Sequence, residues 1–268
     1  MAARWLLNLL LLLVVVGLAA LAYVRPGLDE PATPEMLSSQ LPEQAQRLEI
    51  ERPGRDVLTM ERTVGGWQLT SPIKLPANHF RIEPLLQLRR AMSHSSFPVV
   101  ADALAQYGLA QPEVWLTIDG ERYAFGGVEP LNSYRYVMFG GRVHLLSDRI
   151  HHYLRMSPYD FVSLRLLPAQ RSVKEMRIGA RAVRDELLLG LWQEVAARRV
   201  SAYPEPEQGV EQIELVLDDE TSLTVDILQR EPEVVFGVRE RAVSYHFRID
   251  DGERLLPTME SGVEADDA

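Results

Sequence analysis

Val114-Trp115-Leu116-Thr117-Ile118, then Asp119-Gly120, then Glu121-Arg122-Tyr123-Ala124-Phe125 is the stretch on which the fold reading turns. Two strand-forming runs flank a two-residue turn, and Asp-Gly supplies the positive φ that such a turn requires. A second copy follows a hundred residues on. Ile213-Glu214-Leu215-Val216-Leu217 leads into an acidic turn at Asp218-Asp219, and Leu223 to Ile227 returns. Met176 and Ile178 mirror Leu48 and Ile50, and Gly190-Leu191-Trp192 falls where Gly65-Gly66-Trp67 falls. A degenerate duplication of a β-rich unit is the expectation.

Working outward, Leu48 and Ile50 and then Val57, Leu58 and Met60, around Pro53-Gly54, read as a hairpin. Trp67-Gln68-Leu69 is a short strand after the Gly65-Gly66 turn, stopped by Ser71-Pro72. Tyr134 to Phe139, Gly140-Gly141 and Arg142 to Leu146 form another hairpin, and strands follow at 234–236 and 243–249. Asn78 caps a helix with Ile82, Leu85, Leu86 and Met92 on one face, in which Pro84 fits only the first turn. A second helix runs over 99–107 to a stop at Gly108, and Ser147 opens a short third. In the second copy Pro204-Glu205-Pro206 stands where the first has helices.

Trp5 to Val24 is twenty residues without a charge, and Asn8 is its only strongly polar side chain. About 20 apolar residues at a rise of 1.5 Å span a hydrocarbon core of roughly 30 Å. Nine leucines and four valines favour insertion, together by about 4 to 6 kcal/mol. The N-terminal flank carries Arg4, whereas Asp29, Glu30 and Glu35 follow Arg25 closely. Positive charge stays in the cytoplasm, so the expected placement is a bacterial inner membrane with the C-terminal body periplasmic. The rival reading is a cleaved signal peptide, for which Ala20-Leu21-Ala22 is a small-x-small site. The uncleaved anchor is preferred because the apolar run continues through that site to Val24.

The 268 residues carry a net charge of -10, and beyond the apolar run the balance is 27 − 38 = -11. Such a surface repels phosphate backbones, so nucleic acid is not an expected partner. Cysteine is absent, which excludes disulfides and thiolate chemistry. The six histidines, at 79, 94, 144, 151, 152 and 246, show none of the HxH, HxxxH or HExxH spacings of metal sites. No G-x-S-x-G elbow occurs, and Ser93-His94-Ser95 has nothing in sequence to orient it. Asp218-Asp219-Glu220 and Asp250-Asp251-Gly252-Glu253 lack the alternating ligands of calcium loops and read as hairpin turns. No cofactor is expected. Trp67, Trp115, Tyr134 and Tyr136 are the candidate binding surface, since aromatic rings stack sugars or peptides; core packing is the commoner use of such residues.

Gly65-Gly66-Trp67-Gln68-Leu69-Thr70-Ser71-Pro72, Pro76-Ala77 and the leucine-rich helix after them resemble the domain of unknown function 4340 family. Tyr107-Gly108-Leu109, Pro112 with the hairpin beyond it, and Arg135-Tyr136-Val137 extend the likeness, which covers residues 46 to 165 well and the second copy poorly. The resemblance implies a membrane-anchored extracytoplasmic protein, often beside transport or surface-assembly systems of the gliding-motility type. It implies no catalytic residues.

The expected fold is α+β: a transmembrane helix, then two duplicated antiparallel-sheet subdomains with a few short helices. The expected partition is an anchor at 1–24, a Pro-rich linker at 25–45, subdomains at 46–168 and 169–257, and an acidic disordered tail at 258–268. The expected function is that of a non-enzymatic accessory or scaffold protein with an integral membrane or envelope protein as partner. A glycan- or lipid-binding module and an envelope hydrolase are the alternatives.

Overall fold

A computed structural model of the chain describes residues 2–23, 35–168, 170–204 and 209–257. After helix α1 (Ala2–Tyr23), the first half carries β1 (Glu35–Met36), β2 (Arg47–Glu51), β3 (Leu58–Thr63), β4 (Gly66–Ser71) and β5 (Leu75–Pro76). Helix α2 (His79–Leu86) leads to β6 (Met92–Ser93) and β7 (Ser95–Pro98). The hairpins β8 (Val114–Ile118) with β9 (Glu121–Val128), and β10 (Tyr134–Phe139) with β11 (Arg142–Ser147), precede α3 (His151–Leu154). The second half runs β12 (Val173–Ile178), β13 (Arg181–Val183), α4 (Glu186–Glu194), β14 (Arg199–Ala202), β15 (Glu211–Leu217) and β16 (Ser222–Gln229). It closes with β17 (Val234–Val238), β18 (Val243–Phe247) and α5 (Ile249–Glu253).

The opening stretch forms the hairpin its sequence dictates. Ile118 pairs with Glu121, and Asp119 and Gly120 both take positive φ, +46° and +89°. That pair of left-handed residues matches the twist of the flanking strands. Gly140 and Gly141 do the same between β10 and β11.

Two large antiparallel sheets result, beside the two-stranded pair of β1 with β6. The first is ordered β5-β4-β3-β2-β8-β9-β10-β11-β7 and the second β13-β12-β15-β16-β17-β18-β14. Seven strands correspond one to one, from β3-β2-β8 in the first with β13-β12-β15 in the second, out to edge strands β7 and β14. Even an irregularity recurs. A register shift interrupts the β9–β10 pair and the equivalent β16–β17 pair, each time with the extra residue on the earlier strand. Shared strand order and a shared bulge support two copies of one unit, and the first copy has β4 and β5 in addition.

This alignment corrects the sequence match of the tryptophans. Trp67 lies on strand β4, whereas Gly190-Leu191-Trp192 lies on helix α4. Leu188, Leu189 and Trp192 are buried together, a helical spacing that overrides the resemblance between the two glycine-tryptophan pairs. Asp185 caps this helix by accepting from the Leu187 and Leu188 amides. The second unit therefore keeps a helix, and α4 is the counterpart of α2. Pro84 sits inside α2 rather than in its first turn. Burial of Ile82, Leu85 and Leu86 offsets the lost amide, and the chain tightens to a 3-10 turn at Gln87–Arg90 directly afterwards. Residues 101–107 are likewise 3-10 rather than α, and α3 begins at His151 without a side-chain cap, not at Ser147. Asp250 to Glu253 belong to the short helix α5, not to a hairpin turn.

The body also starts earlier than the boundary at 45. Glu35 and Met36 pair with Ser93 and Met92, and Leu37, Pro42 and Ala45 are buried. Residues 24–34 and the tail at 258–268 lie outside the described residues. In α1 the side chains of Trp5 and residues 8–20 are described, and all are exposed. The run 8–20 is about 20 Å long at the helical rise. Among the described residues no helix is long and apolar enough to cross a membrane.

The two units share one core. Met60, Leu116, Phe161, Trp192 and Phe236 belong to a single buried cluster. The segment joining the halves is the seam. Phe161 O and Pro76 O take amides from Asn78 and Ser163, Leu164 O takes the Ala197 amide, and Arg241 donates to Leu166 O. A smaller cluster lies apart from this core, where Leu109, Ala124 and Val143 gather Trp115, Tyr107 and Tyr136. Gly126, in the bulge of β9, lets the 3-10 turn approach there: a Cβ would stand 2.3 Å from Tyr107 O. Gly126→Ala is expected to lower stability by about 2 to 3 kcal/mol. A urea midpoint unchanged from wild type would refute that.

Candidate functional site

The structure separates the four aromatic residues singled out from sequence. Trp67 is 6% exposed and belongs to the main core, with Arg62 5.9 Å above its ring. Trp115 and Tyr136 come together in the small cluster, half-buried, and the rings of Tyr107 and Tyr136 lie 4.8 Å apart. Arg122 covers Trp115 at 5.2 Å. Tyr134 stacks on His94 at 4.0 Å, and the His94 ring reaches Ser147 Oγ at 3.1 Å. Only Trp115 and Tyr136 share a surface.

Each unit carries a buried charged side chain within a hydrogen-bonded group. Arg135 on β10 makes two 2.8 Å bonds to the Asp148 carboxylate and a third to Gly126 O at 2.6 Å, pinning the bulge. These bonds, against some desolvation, hold the Asp148 carboxyl below its ordinary value. A depressed folded pKa contributes stability above the unfolded pKa and loses it as pH falls through the folded one. The Asp148 carboxyl is therefore expected to titrate by NMR below pH 3.8. A midpoint at or above that value would show the pair is not formed. In the second unit, buried Asp226 accepts from Tyr203 Oη and from Gln212 Nε2 at 2.7 Å. Burial, then the Asp226 bond, raises the Tyr203 phenol.

One arrangement has the shape of nucleophile chemistry. Ser201 Oγ lies 2.8 Å from His246 Nε2, and His246 Nδ1 lies 2.8 Å from Glu233 Oε1. A hydroxyl, an imidazole and a carboxylate in series is the geometry by which a base activates a serine. Arg199 also binds Glu233 at 2.6 Å, drawing on the same carboxylate. Burial pushes the Glu233 carboxyl up, but the bonds from His246 and Arg199 together outweigh it and keep the carboxyl below its ordinary value. Tyr203 N–H donates to Ala242 O, and the β14–β18 register makes Ser201 and Ser244 the next hydrogen-bonded pair in that direction. The Ser201 amide is thus used by the sheet and cannot also receive an oxyanion. Sequence spacing holds no trace of this trio, because 45 residues separate Ser201 from His246 and only the return of β14 to the sheet edge joins them. Among the described residues no group of three or more His, Asp or Glu could hold a metal ion.

A tandem of antiparallel-sheet units that share a seven-strand order, fused through a common core, is the class the fold defines. Residues 67–220 match the family described as Domain of unknown function (DUF4340). The chain belongs to this family. The match begins on β4 and runs through β12 and β15 of the second unit, farther than the resemblance to 46–165 suggested. No curated protein and no solved structure matches the chain.

Proposed function

We propose that this protein is a membrane-anchored extracytoplasmic accessory or scaffold subunit, non-enzymatic, that binds an integral membrane or envelope partner of a transport or surface-assembly complex. The observation that carries the reading is α1. All nine of its leucines and valines between Leu9 and Leu18 are more than half exposed and uncovered by the body. An apolar helix face of this kind requires a non-aqueous cover, and lipid is the cover proposed. The body starts at Glu35, with the eleven residues 24–34 between it and the end of α1. Orientation follows the charge of the flanks, with the N-terminus cytoplasmic and the body in the periplasm.

The test has two parts. Full-length protein should stay with membranes through a carbonate wash, and protease added to spheroplasts should digest the body. Purification in mild detergent should then recover a stable stoichiometric membrane or envelope partner. Release by carbonate overturns the anchor, and recovery of the chain alone overturns the scaffold role.

Burial of Trp67 removes half the motivation for a glycan- or lipid-stacking surface. The hydrolase reading has one observation in its favour, the Ser201–His246–Glu233 series. It requires Ser201 to be labelled by a fluorophosphonate probe, with loss of labelling in His246→Gln. An unlabelled Ser201 removes it.

A further inference from the structure

A cavity of about 350 Å³ opens where the β2–β3 turn, the start of β8 and α3 meet. Arg52, Arg55, Arg155 and His151 line it, with Glu113 as the one carboxylate. Three guanidiniums against one carboxylate leave the lining positive on a chain whose net charge is -10.

Two nitrogens of this lining, Arg52 Nε and His151 Nε2, are buried without a hydrogen bond. Arg52 is 8% exposed; its Nη1 donates to Met156 O at 2.6 Å, while its Nε has no hydrogen bond. His151 is also 8% exposed, and its Nε2 makes no hydrogen bond, the Glu113 carboxylate standing 3.5 Å away. A buried donor left unmade costs free energy, and native proteins rarely leave two in one place. Arg55 and Arg155 are exposed and form no ion pair among the described residues, although the chain is rich in carboxylates.

We infer that this cleft is a binding site for a tetrahedral oxyanion of the phosphate class, held by Arg52, Arg55, Arg155 and the Nε2–H of His151. Guanidinium forks suit such an anion because they present paired donors, and four groups from three elements offer more donors than two carboxylate oxygens accept. The electrostatics agree. Burial and then the neighbouring Arg55 charge lower the Arg52 proton affinity, and burial and then Arg135 lower that of His151, despite the opposing pull of Asp148 and Glu113. Burial is the larger cause of both shifts and neighbouring cations add to it, a contribution that a bound anion offsets. The inference does not depend on the anchor or on the scaffold reading.

The test is calorimetric titration of the full-length protein in detergent with inorganic phosphate, dihexanoyl phosphatidic acid and acetate. Saturable one-to-one phosphate binding is expected, weakened about tenfold or more in Arg55→Gln/Arg155→Gln. That double variant alters only exposed side chains, so an unchanged melting temperature separates lost binding from lost fold. Phosphatidic acid binding tenfold tighter than phosphate identifies a lipid headgroup as the source, and equal or weaker binding identifies a soluble phosphate; either supports the site. Three results overturn it: no saturable phosphate binding, full binding in the double variant, or acetate binding as tightly as phosphate.

Discussion

Arg89→Met is expected to destabilise the protein by about 3 to 5 kcal/mol at neutral pH. Arg89 is 2% exposed and sits at the end of the turn after α2. Its Nε donates to Glu121 at 2.7 Å, and its Nη2 donates to Ile118 O and Asp119 at 3.1 and 3.2 Å. Its Nη1 reaches Leu41 O at 3.3 Å. One guanidinium therefore clamps the N-terminal segment onto the turn of the central hairpin. Glu121 is shared further, accepting from Ser38 Oγ at 2.5 Å and Tyr123 Oη at 3.1 Å. Burial, with Glu121 adding to it, raises the Tyr123 phenol. Methionine keeps the stem and removes every donor, so the partly buried Glu121 and Asp119 carboxylates lose their only charged partner among the described residues and keep neutral donors alone. Urea unfolding measures the loss. Hydrogen exchange localises it, because Leu37 and Ser38 donate their amides to Ala91 O and Arg89 O and should exchange fastest in the variant. A loss below 1 kcal/mol would mean that apolar burial alone holds this segment.

Trp192→Ala should cost about 3 to 5 kcal/mol, whereas Trp192→Phe should cost less than about 1.5 kcal/mol. The residue is 1% exposed at the centre of the shared core, its ring 5.2 Å from that of Phe236. Alanine opens a cavity between α4 and the second sheet. The contrast with phenylalanine arises because the indole Nε1 is buried without a hydrogen bond, so replacing it forfeits no polar contact. If phenylalanine proved as damaging as alanine, packing shape rather than apolar volume would govern this site. Because both units contribute to one core, the alanine variant should unfold them in a single transition, visible as one calorimetric peak.

The hairpins were legible because each is local. Asp119-Gly120 and Gly140-Gly141 announce positive φ, and period-two alternation in Ile213 to Leu217 names the buried face. Helix α4 was misread for an equally local reason, since Gly190 two residues before a tryptophan imitates the turn before β4, and only burial of Leu188, Leu189 and Trp192 decides for a helix. The oxyanion cleft and the Ser201 series were invisible: Arg52 meets Met156 across 104 residues and Ser201 meets His246 across 45.

By itself the sequence determined the strands, their turns, the repeat and the apolar N-terminal run, all of which depend on neighbours a few residues apart. Tertiary structure decided that the two copies fuse into one core, that β7 and β14 return to the sheet edges, and that three arginines and a histidine face one cavity. The physical reason is distance along the chain. Backbone geometry and periodicity act within a turn or a strand, whereas the charge and burial that a site needs arise only when remote segments are packed together.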